Sequence, residues 1–517
     1  MASPTPTSSA PNETSVLIMG HRVAFPAGKS PFPAQLAVMS STLSALNRKQ
    51  HALVESPTGS GKTLALLSSC LTFQRAFAHI VFCPYNYILD PSIRKAVGIT
   101  LHNSIVVLDE AHNVEDTCRS GASLELTDNI LAATIKSFND VLKQDTHLMI
   151  PEAYDAVRYV LSCVKTWFNI NEELIREPED PNDDDCYKLW STDDALAMLR
   201  ECGLAEVGES DLEQIVQNEQ MMMNSPGKKI LLNSLALSTA TRVISVASYM
   251  LHSNGKDADD FKVLITKKMR RTDDAEVIDT KLCIWCLSAA VVFSGVASQA
   301  HSVILASGTL SPMDSFAGEL GVDFLIRLEA NHVVNMRKQV FVGAVMSGPG
   351  GVDLISTYKN QQKFQYQDSM GELLLQYAQV IPGGILVFVP SYALIATLEG
   401  RWRRMGIWEQ LEKHKRMLSE PRVGGKEFDE LLDEYKRTIA GALDYPSGWD
   451  TEGNSIDEPR QSGAIFIAVY RGKVSEGIDF SDANARAVLC VGIPFPNFKD
   501  LQVSLKREYQ DKKRSER

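Results

Sequence analysis

The stretch that decides the fold is Ser56-Pro-Thr-Gly-Ser-Gly-Lys-Thr63. Glycines allow backbone N–H groups to turn inward around phosphate oxygens, and a following helix adds the positive end of its dipole. In such a loop Lys62 neutralises phosphate charge and Thr63 binds Mg²⁺. Residues 51–56 have the composition of a buried strand, and residues 63–74 have that of a helix. Strand, loop and helix together predict a phosphate-binding loop, although Ser56 stands where such loops usually begin with glycine.

The second motif is Ile105-Val-Val-Leu-Asp-Glu-Ala-His112. Its four apolar residues predict a buried strand that ends in two adjacent carboxylates. Asp109 would bind Mg²⁺, and Glu110 would orient or deprotonate an attacking water. An Asp-Glu pair at a strand end is most often only a solvated turn. Its position after the phosphate loop and before Ala-His favours the catalytic interpretation.

The two motifs resemble the P-loop and the DEAH box of superfamily 2 helicases. Four other stretches narrow the resemblance to the XPD-like iron–sulfur branch of that superfamily: Phe82-Cys-Pro-Tyr-Asn-Tyr87, Ala306-Ser-Gly-Thr-Leu-Ser-Pro-Met313, Arg471-Gly-Lys-Val-Ser-Glu-Gly-Ile-Asp-Phe480 and Gly492-Ile-Pro-Phe-Pro496. Three shorter ones resemble a single member of the branch: Leu328-Glu-Ala-Asn-His332, Phe428-Asp-Glu-Leu-Leu432 and Asp500-Leu-Gln-Val503. The resemblance extends over nearly the whole chain from Val16 onward, and it is weakest in the expected helical insertion.

The resemblance implies an α/β fold with two RecA-like P-loop helicase domains and a helical, arch-like insertion in the first. The expected boundaries are a disordered tail over 1–15, the first domain over 16–120 and 241–335, the insertion over 121–240, and the second domain over 336–517. Apolar runs predict strands at 80–83, 105–108, 283–286, 303–306, 384–389, 464–469 and 487–491, and a surface loop at 445–462.

The resemblance also implies roles for particular residues. The catalytic pair is Glu110 and His112, and the Mg²⁺ ligands are Thr63 and Asp109. Nucleotide binding is expected of Gln35, which reads adenine, and of Thr58, Gly59, Ser60, Gly61, Lys62, Thr63, Gly477 and Asp479. Coupling of hydrolysis to DNA movement is expected of Ser307, Gly308, Thr309, Arg471 and Glu476.

The implied activity is ATP-dependent unwinding of DNA with 5′ to 3′ polarity in nuclear DNA repair. Mg²⁺ and ATP are the implied cofactors, and the implied partners are single-stranded or forked DNA and repair proteins. The net charge of −12 excludes a global basic field, so DNA contacts would have to be local. Nine scattered cysteines predict a reducing compartment, and no apolar run approaches the ~20 residues of a membrane span.

The chain departs from the branch in two places. A 4Fe–4S cluster is expected of the family, but the 46 residues from 63 to 108 contain only Cys70 and Cys83, whereas a cluster usually needs four thiolates. No iron–sulfur ligands are therefore found, and the pair Cys283 and Cys286 is expected to be buried and structural. The family's last motif, with arginines facing the γ-phosphate, is also not found before Arg517. Three alternatives stay open: an active helicase, a catalytically impaired nucleotide- or partner-binding fragment or splice form, and an incomplete gene model.

Overall fold

The computed structural model describes residues 14–26, 29–74, 80–143, 150–179, 181, 186–223, 231–271, 276–422, 425–444, 461–474, 478, 480–496 and 500–516. The chain divides into two compact units, the first formed by 1–340 with 498–517 and the second by 341–497. Two parallel four-stranded sheets, one in each unit, confirm the predicted α/β fold. None of the described helices is long and apolar enough to cross a membrane.

The first unit is built around the P-loop sheet, whose strand order is β10-β3-β9-β4. Its elements outside the insertion are β1 (Thr14–Ile18), β2 (His21–Phe25), α1 (Pro33–Arg48), β3 (Ala52–Glu55), α2 (Lys62–Gln74), α3 (Tyr85–Leu89), α4 (Pro91–Ala96), β4 (Ile105–Asp109), α5 (Val114–Gly121), and, after the insertion, α11 (Ala290–Gln299), β9 (Ser302–Ser307), α12 (Met313–Leu320), β10 (Ile326–Glu329) and α13 (Met336–Gln339). Alternation along β3 gives the sheet two buried faces. Val54 lies in one buried cluster with Leu43 of α1, and Leu53 lies in another with Phe293 of α11.

The insertion between α5 and α11 combines helices with an antiparallel sheet in the order β5-β8-β7-β6. Its elements are β5 (Leu124–Leu126), α6 (Asp128–Leu142), α7 (Pro151–Glu172), β6 (Tyr187–Leu189), α8 (Thr192–Glu201), α9 (Glu209–Met223), α10 (Ser234–Leu251), β7 (Phe261–Arg271) and β8 (Glu276–Cys286). The helices expected over 121–240 are present. The strand predicted at 283–286 ends β8 and so belongs to this sheet rather than to the P-loop sheet.

The second unit is a parallel sheet, in the order β12-β13-β11-β14, covered by helices on both faces. Its elements are α14 (Tyr358–Gln361), α15 (Phe364–Val380), β11 (Ile385–Val389), α16 (Tyr392–Met405), α17 (Ile407–His414), β12 (Arg416–Ser419), α18 (Lys426–Asp444), β13 (Ala464–Val469) and β14 (Ala487–Cys490). The final helix, α19 (Leu501–Glu516), groups with the first unit, although the sequence boundaries placed it in the second.

Two local predictions are wrong. Residues 80–83 form no strand: Phe82 is 78% exposed, and Pro84 precedes the first turn of α3. Apolar composition alone suggested a strand here, but a strand also needs a partner. Among the described residues, the edge strand β4 pairs only with β9, and residues 80–83 add no strand beside it. Thr14 and Ser15, assigned to a disordered tail, lie in β1, where they pair with Phe25 and Ala24. The rest of that tail and most of the predicted loop at 445–462 lie outside the described residues.

Candidate nucleotide site

The P-loop connects β3 to α2 and is shaped by two glycines in the left-handed region. Gly59 has φ of 76° and Gly61 has φ of 73°, which side-chain-bearing residues rarely adopt. A Cβ on Gly61 would also lie 2.3 Å from the side-chain nitrogen of Gln35. Ser56 is fully buried, and its hydroxyl shares a 2.8 Å hydrogen bond with that of Ser60. The serine that replaces the usual first glycine therefore helps to close the loop.

Gln35, near the start of α1, is hydrogen-bonded to the P-loop. Its side-chain oxygen accepts a hydrogen bond from the N–H of Phe32 at 2.9 Å, and its nitrogen donates to the carbonyl of Gly61 at 3.3 Å. Only 4% of Gln35 is exposed. The structure thus brings Gln35 to the phosphate loop, and its predicted role in reading adenine stays a prediction.

The DEAH carboxylates meet the P-loop where β4 ends. Thr63 donates its hydroxyl to Asp109 Oδ2 at 2.5 Å. The ammonium of Lys62 lies 3.3 Å from Asp109 Oδ1 and 3.1 Å from Glu110 Oε1. Because parallel strands β3 and β4 end at the same edge of the sheet, residues 46 to 48 positions apart converge. Lys62 is only 6% exposed, and the negative charges of these two carboxylates offset its positive charge.

The oxygen donors at this edge suit Mg²⁺. A threonine hydroxyl and an aspartate carboxylate are hard ligands, and Mg²⁺ in nucleotide sites takes few protein ligands besides phosphate oxygens and water. Thr63 and Asp109 already place their oxygens in contact. In the described part of the chain no group of three or more His, Cys, Asp or Glu gathers as a metal cage. The pair of oxygens from Thr63 and Asp109 suits an ion shared between protein and nucleotide.

His112 and Ser307 link the DEAH box to the coupling motif. The Nδ1 atom of His112 lies 3.0 Å from the hydroxyl of Ser307 and 3.5 Å from Glu110 Oε2. Ser307 also donates to Glu110 Oε2 at 3.4 Å, and Glu110 itself has a left-handed φ of 51°. The neighbour of Ser307, Gly308, passes so close to the P-loop that a Cβ would lie 2.9 Å from Thr58 Oγ1. Six predicted residues, Thr58, Glu110, His112, Ser307, Gly308 and Thr309, therefore occupy one small region.

Tyr85 is a neighbour of this region to which the sequence assigned no role. Burial, together with the negative charges of Asp109 and Glu110, raises the pKa of the Tyr85 phenol to about 12. The tyrosine stays protonated at neutral pH and can donate a hydrogen bond. The stretch Phe82–Tyr87 had been noticed as part of the resemblance, but its spacing gave no indication that Tyr85 approaches the carboxylates.

The predicted residues of the second unit are described only in part. Arg471 is exposed and has a left-handed φ of 58°. Glu476, Gly477 and Asp479 lie outside the described residues. Their assignment to nucleotide binding and coupling stays a prediction.

The four cysteines considered for iron–sulfur chemistry differ in surroundings. Cys283 and Cys286 are buried in β8, where burial raises the pKa of each thiol to about 12. Burial likewise raises the pKa of Cys70 in α2 to about 12, and that of Cys83 above its usual value. High thiol pKa values disfavour the thiolate that binds metal. The pair in β8 is buried, as the sequence led us to expect.

Comparisons with known proteins show which proteins this chain resembles. A family profile named DEAD_2 matches residues 72–131, and one described as a helicase C-terminal domain matches 374–517. The Fanconi anemia group J protein homolog of Gallus gallus is 37% identical over 476 residues, covering 85% of this chain and 36% of that protein. The regulator of telomere elongation helicase 1 homolog of Aedes aegypti is 31% identical, covering 84% of this chain and 44% of that protein. A solved structure titled "XPD_APO" aligns at 16% identity and a TM-score of 0.45, covering 91% of this chain and 86% of that one.

This chain therefore carries matches to the DEAD_2 and helicase C-terminal profiles and is similar to a Fanconi anemia group J protein homolog and a telomere elongation helicase homolog. The member that residues 328–332, 428–432 and 500–503 had suggested is the Fanconi anaemia group J helicase, and the similarity to its chicken homolog confirms that resemblance. The chain spans about two fifths of the length of the curated relatives named above.

Proposed function

We propose that this chain binds Mg-ATP at the P-loop and hydrolyses it as an ATP-dependent DNA helicase. The observation that carries the proposal is the convergence of Lys62, Thr63, Asp109 and Glu110 at one edge of a parallel sheet, each within hydrogen-bond or ion-pair distance of another. Phosphoryl transfer is catalysed mainly by positioning and charge neutralisation, and this set supplies both.

The P-loop residues have distinct tasks in binding. N–H groups of Thr58, Gly59, Ser60 and Gly61, with the N-terminus of α2, would surround the β-phosphate. Lys62 would exchange its present ion pairs with Asp109 and Glu110 for the β- and γ-phosphate oxygens. Thr63 and Asp109 would hold Mg²⁺, which when bound offsets phosphate charge. Gln35 would bind adenine through its amide, and Gly477 and Asp479 of the second unit would complete the nucleotide site.

Hydrolysis falls to Glu110, which would orient or deprotonate the water that attacks the γ-phosphate. His112 and Ser307 contact this carboxylate on its other side. They would pass a change at Glu110 to the coupling loop, residues 307–311, which contains the coupling residues Ser307, Gly308 and Thr309. Arg471 and Glu476 would serve the same coupling from the second unit.

The DNA side of the proposal rests on the family. Single-stranded and forked DNA are the proposed substrates, with 5′ to 3′ movement, nuclear location and DNA-repair partners. The two relatives are named for Fanconi anemia group J and for telomere elongation, which supports a role in maintaining DNA. A second candidate is a nucleotide-binding form impaired in unwinding. The interval 63–108, with its two cysteines, favours that candidate.

Binding and turnover test the site directly. Isothermal titration with Mg-ATP should show clear binding to the wild type and at least about tenfold weaker binding to Lys62→Ala. The control is Lys143→Ala, an exposed lysine outside both motifs, which should bind as the wild type does. Steady-state ATPase with and without single-stranded DNA should be abolished by Glu110→Gln while binding persists. Equal binding by wild type and Lys62→Ala would show that the assignment is wrong.

A forked-duplex assay on the same preparations separates the two candidates. Unwinding that requires ATP and is lost in Glu110→Gln identifies the helicase. ATP turnover or binding without unwinding identifies the impaired form.

A further inference from the structure

Glu55, the last residue of β3, stands at the centre of the P-loop sheet beside the coupling loop. It pairs in register with Ser307 of β9 on one side and with Glu329 of β10 on the other. Its own carbonyl accepts a hydrogen bond from the N–H of Ala330 at 2.8 Å. The residue that follows, Ser56, opens the P-loop. Glu55 is therefore fixed by the sheet at the point where nucleotide loop and coupling loop separate.

The side chain of Glu55 reaches across to the coupling loop. A single oxygen, Oε2, accepts hydrogen bonds from the backbone N–H of Leu310 at 3.0 Å and of Ser311 at 2.7 Å. No lysine or arginine pairs with Glu55 in the described part of the chain, so these two N–H groups are its charge partners. Hydrogen bonds to an ionised acceptor are stronger than neutral ones, which makes this a firm attachment.

Two further contacts hold the same loop against the P-loop. The N–H of Ser56 donates to the carbonyl of Ser307 at 2.9 Å. Gly308 leaves no space for a Cβ beside Thr58. Among these contacts, Glu55 supplies side-chain hydrogen bonds, whereas the Ser56 contact joins backbone atoms and Gly308 makes a close approach to Thr58.

We infer that Glu55 is a positioning residue that locks the coupling loop, residues 307–311, to the P-loop. A shift of the P-loop on phosphate binding then moves Ser307 and its partners His112 and Glu110 together with it. Glu55 touches neither nucleotide phosphate nor water in this assignment and acts only through the loop. The inference rests on the proposed ATP hydrolysis and names a part of its coupling.

The first test measures the loop itself, independent of activity. Hydrogen exchange followed by mass spectrometry should show faster exchange of the Leu310 and Ser311 amides in Glu55→Ala than in wild type. Glu55→Gln retains an acceptor oxygen and should restore most of the protection. The matched control is Glu329→Ala, one strand away, whose carboxylate accepts, among the described residues, a hydrogen bond from the Ser311 hydroxyl alone, at 3.2 Å. Unchanged protection in Glu55→Ala would overturn the inference.

The second test uses ATPase kinetics. In Glu55→Ala, DNA-stimulated kcat should fall on the order of tenfold to a hundredfold, the range expected when a catalytic group is displaced by about 1 Å. The KM for ATP should change less than about threefold, because the phosphate-binding groups are retained. Glu55→Gln should recover most of the rate. A wild type without ATPase defeats the proposed function, whereas an active wild type with an equally active Glu55→Ala defeats this inference alone.

Discussion

Lys415 is a fully buried lysine at the end of α17 and the start of β12. Its ammonium donates to the carbonyl of Gly383 at 2.8 Å and to the hydroxyl of Ser462 at 3.2 Å. These bonds tie the chain before β11 to the chain before β13. Burial lowers the pKa of Lys415 from its usual 10.5 to about 8.

This pKa makes the stability of the second unit depend on pH. Between pH 8 and about 10.5 the unfolded chain binds more protons at Lys415 than the folded chain does, so the folded state gains stability as pH rises. Below pH 8 the lysine is protonated in both states and contributes no slope. The stability of wild type relative to Lys415→Met should therefore increase as pH rises through this window and stay constant below it.

Urea unfolding of both proteins at pH 7, 8, 9 and 10 measures the difference. Other groups titrate in this range, but they do so in both proteins and cancel in the comparison. Lys413→Met, at an exposed position of the same helix, should parallel the wild type. Parallel curves for Lys415→Met and wild type would contradict the buried lysine's titration.

Site residues could be predicted from the sequence when the residues that work together are close together in the chain. Gly59, Gly61, Lys62 and Thr63 lie in one loop whose spacing alone indicates phosphate binding. Glu55 was not predicted, because its partners are more than 250 positions away and are backbone N–H groups, which every residue has. No sequence pattern distinguishes that glutamate from any other at a strand end.

At the scale of elements, apolar runs identified strands but not the sheets to which they belong. The run at 283–286 reads like those at 303–306, yet it pairs with β7 in the insertion whereas the other pairs with β3 and β4. Sheet membership depends on partners distant in sequence. The run at 80–83 fails for the same reason, because no described strand pairs with it.

Helix α19 packs on the insertion's antiparallel sheet, mainly through Leu505. This side chain is 5% exposed and lies in a cluster with Leu264, Cys283 and Trp285. Tyr509 adds a hydrogen bond to Asp260 at 2.7 Å. Replacing Leu505 with alanine should weaken the docking of the helix by about 2 to 3 kcal/mol, because it removes buried methyl groups and leaves a cavity.

Hydrogen exchange over residues 501–516 checks this expectation. Amides of α19 should exchange faster in Leu505→Ala, while those of β11 in the second unit should be unaffected. Glu508→Ala, on the exposed side of the same helix, should match the wild type. If both variants exchange alike, the helix is not held by Leu505.

At the scale of the whole molecule, the first unit is discontinuous in sequence. Residues 1–340 and 498–517 form it, and 341–497 form the second unit between them. The second unit is therefore joined to the first at both of its ends. This arrangement was not predictable from periodicity, because the pattern of α19 indicates a helix but not the surface that it covers.

The interval between the P-loop and the DEAH box leads to the last prediction, that the purified chain contains no iron–sulfur cluster. Its two cysteines are half of the usual ligand set, and burial raises the pKa of Cys70 to about 12, which opposes formation of the thiolate. Iron and sulfide analysis after anaerobic purification, with a visible spectrum, is the measurement. Stoichiometric iron with an absorption band bleached by dithionite would contradict the prediction. Cys70→Ser and Cys83→Ser would then show whether these thiols hold the iron, because loss of the band in either variant identifies a ligand.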